Sequence, residues 1–273
     1  MRFTKMHGIG NDFIVLNAIE NTIENPGALA KKLCERRFSI GADGLILIFE
    51  SDIADAKMRI FNSDGSEAEM CGNGIRCAAK YIFDERIVPR DEFTIDTLDG
   101  VKTVYLATED GKAVSVTVNM GSPSFEPEKV PVDAPTNEVD IDIDGVKMHF
   151  FCVNMGVPHA VTFSAMPERR DFLRLGEILE KHPLFPAKTN VEFCRVDDRE
   201  NVKVLVWERG AGETLACGTG SCSVLAAGHT LGLIERRANI HLPGGTLDDR
   251  WAEDGNIYMT GPAETVFEGE IDV

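Results

Sequence analysis

The chain has no Cys-x-x-Cys pair and no cluster of histidines, which removes the ligand spacing of a structural zinc site. It has no glycine-rich dinucleotide fingerprint, no phosphate-loop pattern followed by a helix, and no pyridoxal or flavin motif. No window approaches the roughly 18–20 consecutive apolar residues of a membrane-spanning helix. No apolar signal core follows Met1-Arg2-Phe3-Thr4-Lys5, so a cytoplasmic protein without a membrane partner is expected. Basic residues are in deficit, 28 Lys and Arg against 45 Asp and Glu, and the net charge of −17 argues against a nucleic-acid partner. It leaves room for a small acidic substrate, because local positive potential can survive on an acidic protein. Neither the 12 prolines nor the 25 glycines mark disorder or a fibrous repeat. The 7 cysteines are an odd number in a chain long enough to build its own core, which fits free thiols in a reducing compartment.

What the chain does have is an ordered run of short strands and helices. Its 273 residues suit one large domain or two smaller ones. Gly8-Ile9-Gly10-Asn11 is a turn ahead of the strand-like Phe13-Ile14-Val15-Leu16. Asn25 and Pro26 supply an N-cap and a first-turn proline for a helix whose apolar side carries Leu29 and Leu33. Leu45–Phe49 and Met58–Phe61 read as strands, and Asp110-Gly111 and Asp144-Gly145 as tight hairpin turns. Between the halves, Pro123, Pro127, Pro131 and Pro135 punctuate an acidic stretch, 126–144, expected to be a solvated connection.

The centre of the pattern is a motif that occurs twice. Cys71-Gly72-Asn73-Gly74 opens a run in which Ile75, Ala78, Ala79, Ile82 and Phe83 share one helical stripe. Cys217-Gly218-Thr219-Gly220 opens a second such run 146 residues later. At the same offset the helix of Leu29 and Leu33 falls on Leu175 and Leu179, expected to be capped by Asp171. The strand from Gly44 falls on the one from Asn190, Asn62 falls on Glu208, and Glu67 on Glu213. The order of elements holds throughout, so the chain reads as a duplication. The expected halves are 1–120, with a C-terminal strand 262–273 that could rejoin it, and 121–273.

A glycine turn feeding a helix leaves N–H groups unpaired and adds the positive end of the helix dipole. A substrate carboxylate can rest there, and a cysteine at the same place is expected to have its thiolate stabilised. Two such cysteines, one per half, suit inversion at the α-carbon of an amino acid. One removes a hydrogen from one face while the other delivers a proton to the opposite face. A carboxylate held on fixed N–H donors also stabilises the charge that develops beside the carbanion. Cys34, Cys77, Cys152, Cys194 and Cys222 lack the motif and are expected to fill space.

Together with Gly10-Asn11-Asp12-Phe13 and Glu208-Arg209-Gly210-Ala211-Gly212-Glu213-Thr214, these motifs resemble the diaminopimelate epimerase family over essentially the entire chain. The resemblance implies a cofactor-independent isomerase that interconverts LL- and meso-2,6-diaminopimelate on the route to lysine and peptidoglycan. It also implies an α/β (α+β) fold of two pseudo-symmetric halves, each a barrel-like mixed sheet around a central helix, with the active site in the cleft between them, and a homodimer. Carried over by position, Cys71 and Cys217 match the acid/base pair, and His159 and Glu208 match positions that assist or read the substrate. Gly72, Asn73, Gly218 and Thr219 match the cradle of the reacting carboxylate. Asn11, Asn62, Asn154, Asn190, Glu208 and Arg209 match the ring that reads the amino groups and the distal carboxylate. One position departs: Gly44 stands where some members carry a glutamine, and offers only backbone. A proline or hydroxyproline racemase, a thiol redox protein cycling a Cys71–Cys217 disulfide, and a binding module remain alternatives. Arg209 and the asparagines count against the first, since proline has no distal charged end.

Overall fold

Short β-branched runs broken by Asp-Gly and Ile-Gly turns give a sheet-rich α+β fold. The structure, a computed structural model, describes residues 1–19, 21–164 and 166–272. The chain divides into two compact units, Met1–Asn119 with Thr260–Val273, and Met120–Met259.

The first unit runs β1 (Arg2–Gly8), β2 (Asn11–Asn17), α1 (Pro26–Cys34), β3 (Gly44–Phe49), β4 (Ala56–Asn62), β5 (Glu67–Ala68), α2 (Gly72–Asp84), β6 (Glu92–Thr97), β7 (Gly100–Glu109) and β8 (Lys112–Asn119). The second repeats the plan: β9 (Glu138–Ile143), β10 (Val146–Asn154), β11 (Pro158–Thr162), α3 (Arg169–Glu180), β12 (Asn190–Asp198), β13 (Asn201–Glu208), β14 (Gly212–Thr214), α4 (Gly218–Thr230), β15 (Arg237–Leu242), β16 (Gly245–Trp251) and β17 (Ile257–Gly261). The last strand, β18 (Glu264–Glu270), lies antiparallel to β1, and Val273 at the end of the expected 262–273 strand is outside the described residues.

Strand pairing bears out the duplication. In the first unit β1–β2 is antiparallel, β2–β3 parallel, β3–β4 antiparallel, β4–β6 parallel and β6–β7 antiparallel. The second repeats that sequence of directions in β10–β11, β11–β12, β12–β13, β13–β15 and β15–β16. Register is preserved with it, Phe13 facing Gly44 in one unit and His159 facing Asn190 in the other. The hairpin turns sit where left-handed backbone is needed, with Asp110 at φ 48° before Gly111 at 75° and Asp144 at 55° before Gly145 at 82°.

Each unit packs its sheet around one helix. Both α2 and α4 are buried over most of their surface, α2 through Ile75, Ala78, Ala79, Ile82 and Phe83, and α4 through Val224, Leu225, Ala226 and Ala227. Each large apolar side chain enclosed this way contributes about 1.5–3 kcal/mol. At α1 the Asn25 carboxamide oxygen accepts from Ala28 N–H at 3.0 Å, with Pro26 in the first turn.

Two expectations fail. α3 begins at Arg169 with Glu168 as its cap residue, so Asp171 lies inside the first turn, where its charge meets the helix dipole rather than capping. The acidic stretch 126–144 is not merely solvated: Val130, Val132, Val139, Ile141 and Ile143 enter the core of the second unit. Its alternation lets one face be charged and the other buried.

Candidate active site

Cys71 and Cys217 occupy the same place in their units. Each is the N-cap of a 13-residue helix in extended backbone, φ −141° and ψ 121° for Cys71, φ −130° and ψ 113° for Cys217. The Cys71 sulfur accepts from Gly74 N–H at 3.4 Å and the Cys217 sulfur from Gly220 N–H at 3.3 Å. Caps are ordinarily Ser, Thr, Asp or Asn, whose oxygens accept better than sulfur. A thiol in both caps is a poor choice for helix stability alone.

Around Cys71 the first unit builds a hydrogen-bonded frame whose amides touch the thiol, with charged groups behind them. The thiol lies 3.6 Å from Asn11 Oδ1, which also accepts from Asn73 Nδ2 at 3.3 Å. Arg76, fully buried one turn into α2, donates to Asn73 Oδ1 at 2.9 Å, to the Gly72 carbonyl at 3.0 Å and to the Pro262 carbonyl at 3.2 Å. Asn11 Nδ2 is held by Asp43 at 2.9 Å. Asp43 and Asp12 share Arg36, and Lys5 reaches Asp12 at 2.6 Å. Burial alone would raise the Asp12 carboxyl, but hydrogen bonds from Arg36 and Lys5 outweigh it and hold it at about 2. Asn62 is turned to its own hairpin, donating to Ser66 Oγ at 3.0 Å. At Gly44 a Cβ would lie 2.9 Å from the Phe61 carbonyl, so this chain has no room for a side chain there.

Around Cys217 the second unit is charged. The sulfur lies 3.5 Å from Thr219 Oγ1, and Glu208 hydrogen-bonds Cys217. Burial pushes the Cys217 thiol well above its ordinary value, and the charges of Glu208 and Glu192 push the same way. The expected stabilisation of its thiolate is therefore overturned: the Thr219 and Gly220 donors are outweighed by desolvation and two carboxylates. Burial likewise raises the Glu208 carboxyl. His159 and Glu192 are both fully buried, with Nδ1 2.6 Å from Oε1. Asn190 joins the group, its Nδ2 3.4 Å from His159 Nε2 and its Oδ1 accepting from Arg209 N–H at 2.7 Å. The Arg209 guanidinium donates to the Ala187 carbonyl at 3.0 Å. Asn154 is engaged with backbone, donating to the Lys129 carbonyl at 2.6 Å and accepting from Gly156 N–H at 2.7 Å.

Glu180 was not singled out from sequence, yet it anchors the Glu208–Gly210 turn. Its carboxylate accepts from Trp207 Nε1 at 2.9 Å and from Gly210 N–H at 3.2 Å. Arg76, Asp43 and Glu192 were also missed; the signal was a charged residue among apolar neighbours, in a helix for Arg76 and in a strand for Glu192, and a charge in the turn before β3 for Asp43. Glu67 and Glu213 face Arg59 and Arg169, not the cysteine turns. None of the seven cysteines is in a disulfide. Among the described residues, no group of three or more His, Cys, Asp or Glu side chains is arranged to hold a metal.

A sequence profile of diaminopimelate epimerase matches residues 3–126 and 151–266. The chain belongs to the diaminopimelate epimerase family. It is 51% identical to the diaminopimelate epimerase of Acetivibrio thermocellus, covering 100% of this chain and 99% of that protein. The diaminopimelate epimerase of Methanococcus maripaludis is 50% identical, with 100% of both chains covered. As a member of this family the chain is an isomerase. Among solved structures, a hydroxyproline epimerase from Agrobacterium vitis superposes with a TM-score of 0.74 at 18% identity, covering 98% of this chain and 91% of that one. At that identity the likeness is one of fold, and it shows the two-domain architecture.

Proposed function

We propose that this chain interconverts LL- and meso-2,6-diaminopimelate without a cofactor, Cys71 and Cys217 acting as the acid/base pair. The observation that carries the reading is the matched cap: in each unit a thiol replaces the usual capping oxygen at the start of an enclosed helix. The N–H groups of Gly72, Asn73, Gly218 and Thr219 at these helix starts receive the α-carboxylate of the reacting end. One sulfur takes the α-hydrogen as a proton, leaving the electron pair on the carbon and its carboxylate. The other sulfur returns a proton to the opposite face, and the roles exchange in the reverse direction.

The difference between the two surroundings suits that division. Cys217, pushed upward by burial and two carboxylates, starts as the proton donor. Glu208 and His159 adjust its proton, while Asn11 orients the Cys71 thiol. Asn62, Asn154, Asn190, Glu208 and Arg209 read the far end, where a guanidinium grips a carboxylate and amides meet an ammonium. On this reading the enzyme serves lysine and peptidoglycan precursor synthesis and works in the cytoplasm as a homodimer.

Purified protein supplied with LL-diaminopimelate tests the reading by chiral chromatography. It should approach an isomer mixture without added pyridoxal phosphate, and it should leave L-proline unchanged. Turnover of proline but not of diaminopimelate would refute it.

A further inference from the structure

The duplication supplies an internal control for the buried charges of the second unit. Phe13 and Ile46 of the first unit stand 146 residues before His159 and Glu192. The register agrees, since Phe13 faces Gly44 across a parallel pair as His159 faces Asn190. Strand alternation puts residues 190 and 192 on one face, and 44 and 46 likewise. The frame is therefore satisfied by a phenylalanine and an isoleucine, 3% and 0% exposed. The second unit fills the same slots with an imidazole and a carboxylate, both fully buried, and leaves Glu192 Oε2 without a hydrogen-bond partner. Such a pair is costly to bury, and the fold does not ask for it.

The glycine in the first turn of each helix shows where the carboxylate sits. A Cβ on Gly74 would meet Ile60 Cδ1 at 2.9 Å and Ile46 Cδ1 at 3.5 Å. A Cβ on Gly220 would meet Glu192 Oε1 at 2.8 Å and the Cys217 sulfur at 3.3 Å. The Glu192 carboxylate thus sits under the first turn of α4, beside the residue whose N–H reaches Cys217. A 2.6 Å separation between Nδ1 and Oε1 requires a proton between them.

We propose that Glu192 is a positioning residue for His159: it fixes the ring proton on Nδ1, leaves Nε2 as the atom that exchanges protons, and stabilises the imidazolium formed when Nε2 gains one. The role rests on the epimerase reading above. A proton arriving at Nε2 makes the ring cationic while Glu192 stays ionised, and its departure restores both, so nothing else need be supplied. The groups facing the pair are Glu208 from β13, Cys217 at the cap of α4, Cys152 from β10 and Cys194 on β12. Both carboxylates favour the cationic ring. Burial pushes the Cys152 thiol up to about 12 and the Cys194 thiol well above its ordinary value, so neither contributes charge near neutrality.

The test is Glu192→Gln in the full chain, read in two ways. Titration of the His159 ring by nitrogen-15 NMR without substrate, its signal assigned by loss in His159→Asn, should show at least about tenfold weaker proton affinity. In turnover of LL-diaminopimelate, kcat should fall about 10–100-fold with KM little changed, and the limb of the pH profile set by His159 should move to lower pH. An unmoved titration overturns the pairing, and unchanged kcat overturns the positioning role. A wild-type chain that turns over no diaminopimelate instead overturns the reading it rests on, while the titration still decides the pairing. Should Glu192→Gln fold poorly, the double variant His159→Phe with Glu192→Ile transplants the pair of the first unit. It should hold or raise the melting temperature while losing turnover, and retained turnover would overturn the proposal.

Discussion

Asn11 Oδ1 lies 3.6 Å from the Cys71 sulfur because Asn11 Nδ2 is tied to Asp43 at 2.9 Å. An asparagine amide can turn over, and turning this one would point an N–H at the thiol. Asp43→Ala frees that choice. Loss of one hydrogen bond to a charged acceptor is worth about 1.5–3 kcal/mol, so kcat/KM should fall about tenfold or more. Steady-state kinetics in both directions check it, and an unchanged value would remove Asp43 from the account.

The Asp12 carboxyl, at about 2 in the fold against 3.8 as the ordinary value, makes stability depend on acid. Its folded pKa is depressed, so its contribution is complete above the unfolded value and is lost as pH falls through the folded one. A depression of nearly two units corresponds to about 2 kcal/mol. Urea denaturation of wild type and Asp12→Asn should differ by about that much near neutrality, the gap closing between about pH 4 and pH 2. A gap that stays constant with pH would contradict the ion pairing.

Gly176 on α3 lets the Trp207 ring approach the helix backbone. A Cβ there would lie 2.5 Å from Trp207 Cδ2. Gly176→Ala should therefore cost about 1–3 kcal/mol by overpacking, although alanine favours the helix by itself. Loss of midpoint in denaturation, with a changed Trp fluorescence, is the expected outcome; a stabilised protein would show that the ring gives way freely.

Cys217 should react slowly with iodoacetamide near neutrality compared with an ordinary exposed thiol, because burial and two carboxylates disfavour its thiolate. Glu208→Gln removes one of those charges, so the thiolate fraction and the rate should rise. Peptide mass spectrometry over a pH series separates this site from the other cysteines. A rate that falls in Glu208→Gln would reverse the assigned sign.

Much of the fold was legible because local rules and pattern agreed. Asn25-Pro26 caps α1 as its chemistry requires, and the Asp-Gly pairs adopt the left-handed backbone their hairpins need. Asp171 misled because an acidic residue serves equally as a cap or within a first turn, and sequence does not say where the helix axis begins. The acidic stretch misled because its prolines and charges hide an alternating set of valines and isoleucines. At the site, repetition exposed Cys71 and Cys217. It could not expose Glu192 or Arg76, whose meaning comes from packing. Glu192 sits in a strand whose neighbouring residues are apolar, and Arg76 is a fully buried charge on an enclosed helix. The thiolate expectation for Cys217 failed for the same reason: a helix start is visible in sequence, whereas buried carboxylates from neighbouring strands are not.

The exchange of two thiols across one carbon is tested most directly in deuterated water. With LL-diaminopimelate, the wild-type chain should place deuterium at the inverted α-carbon of the meso product from the first turnover, and Cys71→Ala and Cys217→Ala should each form no meso isomer. Normal conversion by either alanine variant would contradict the account.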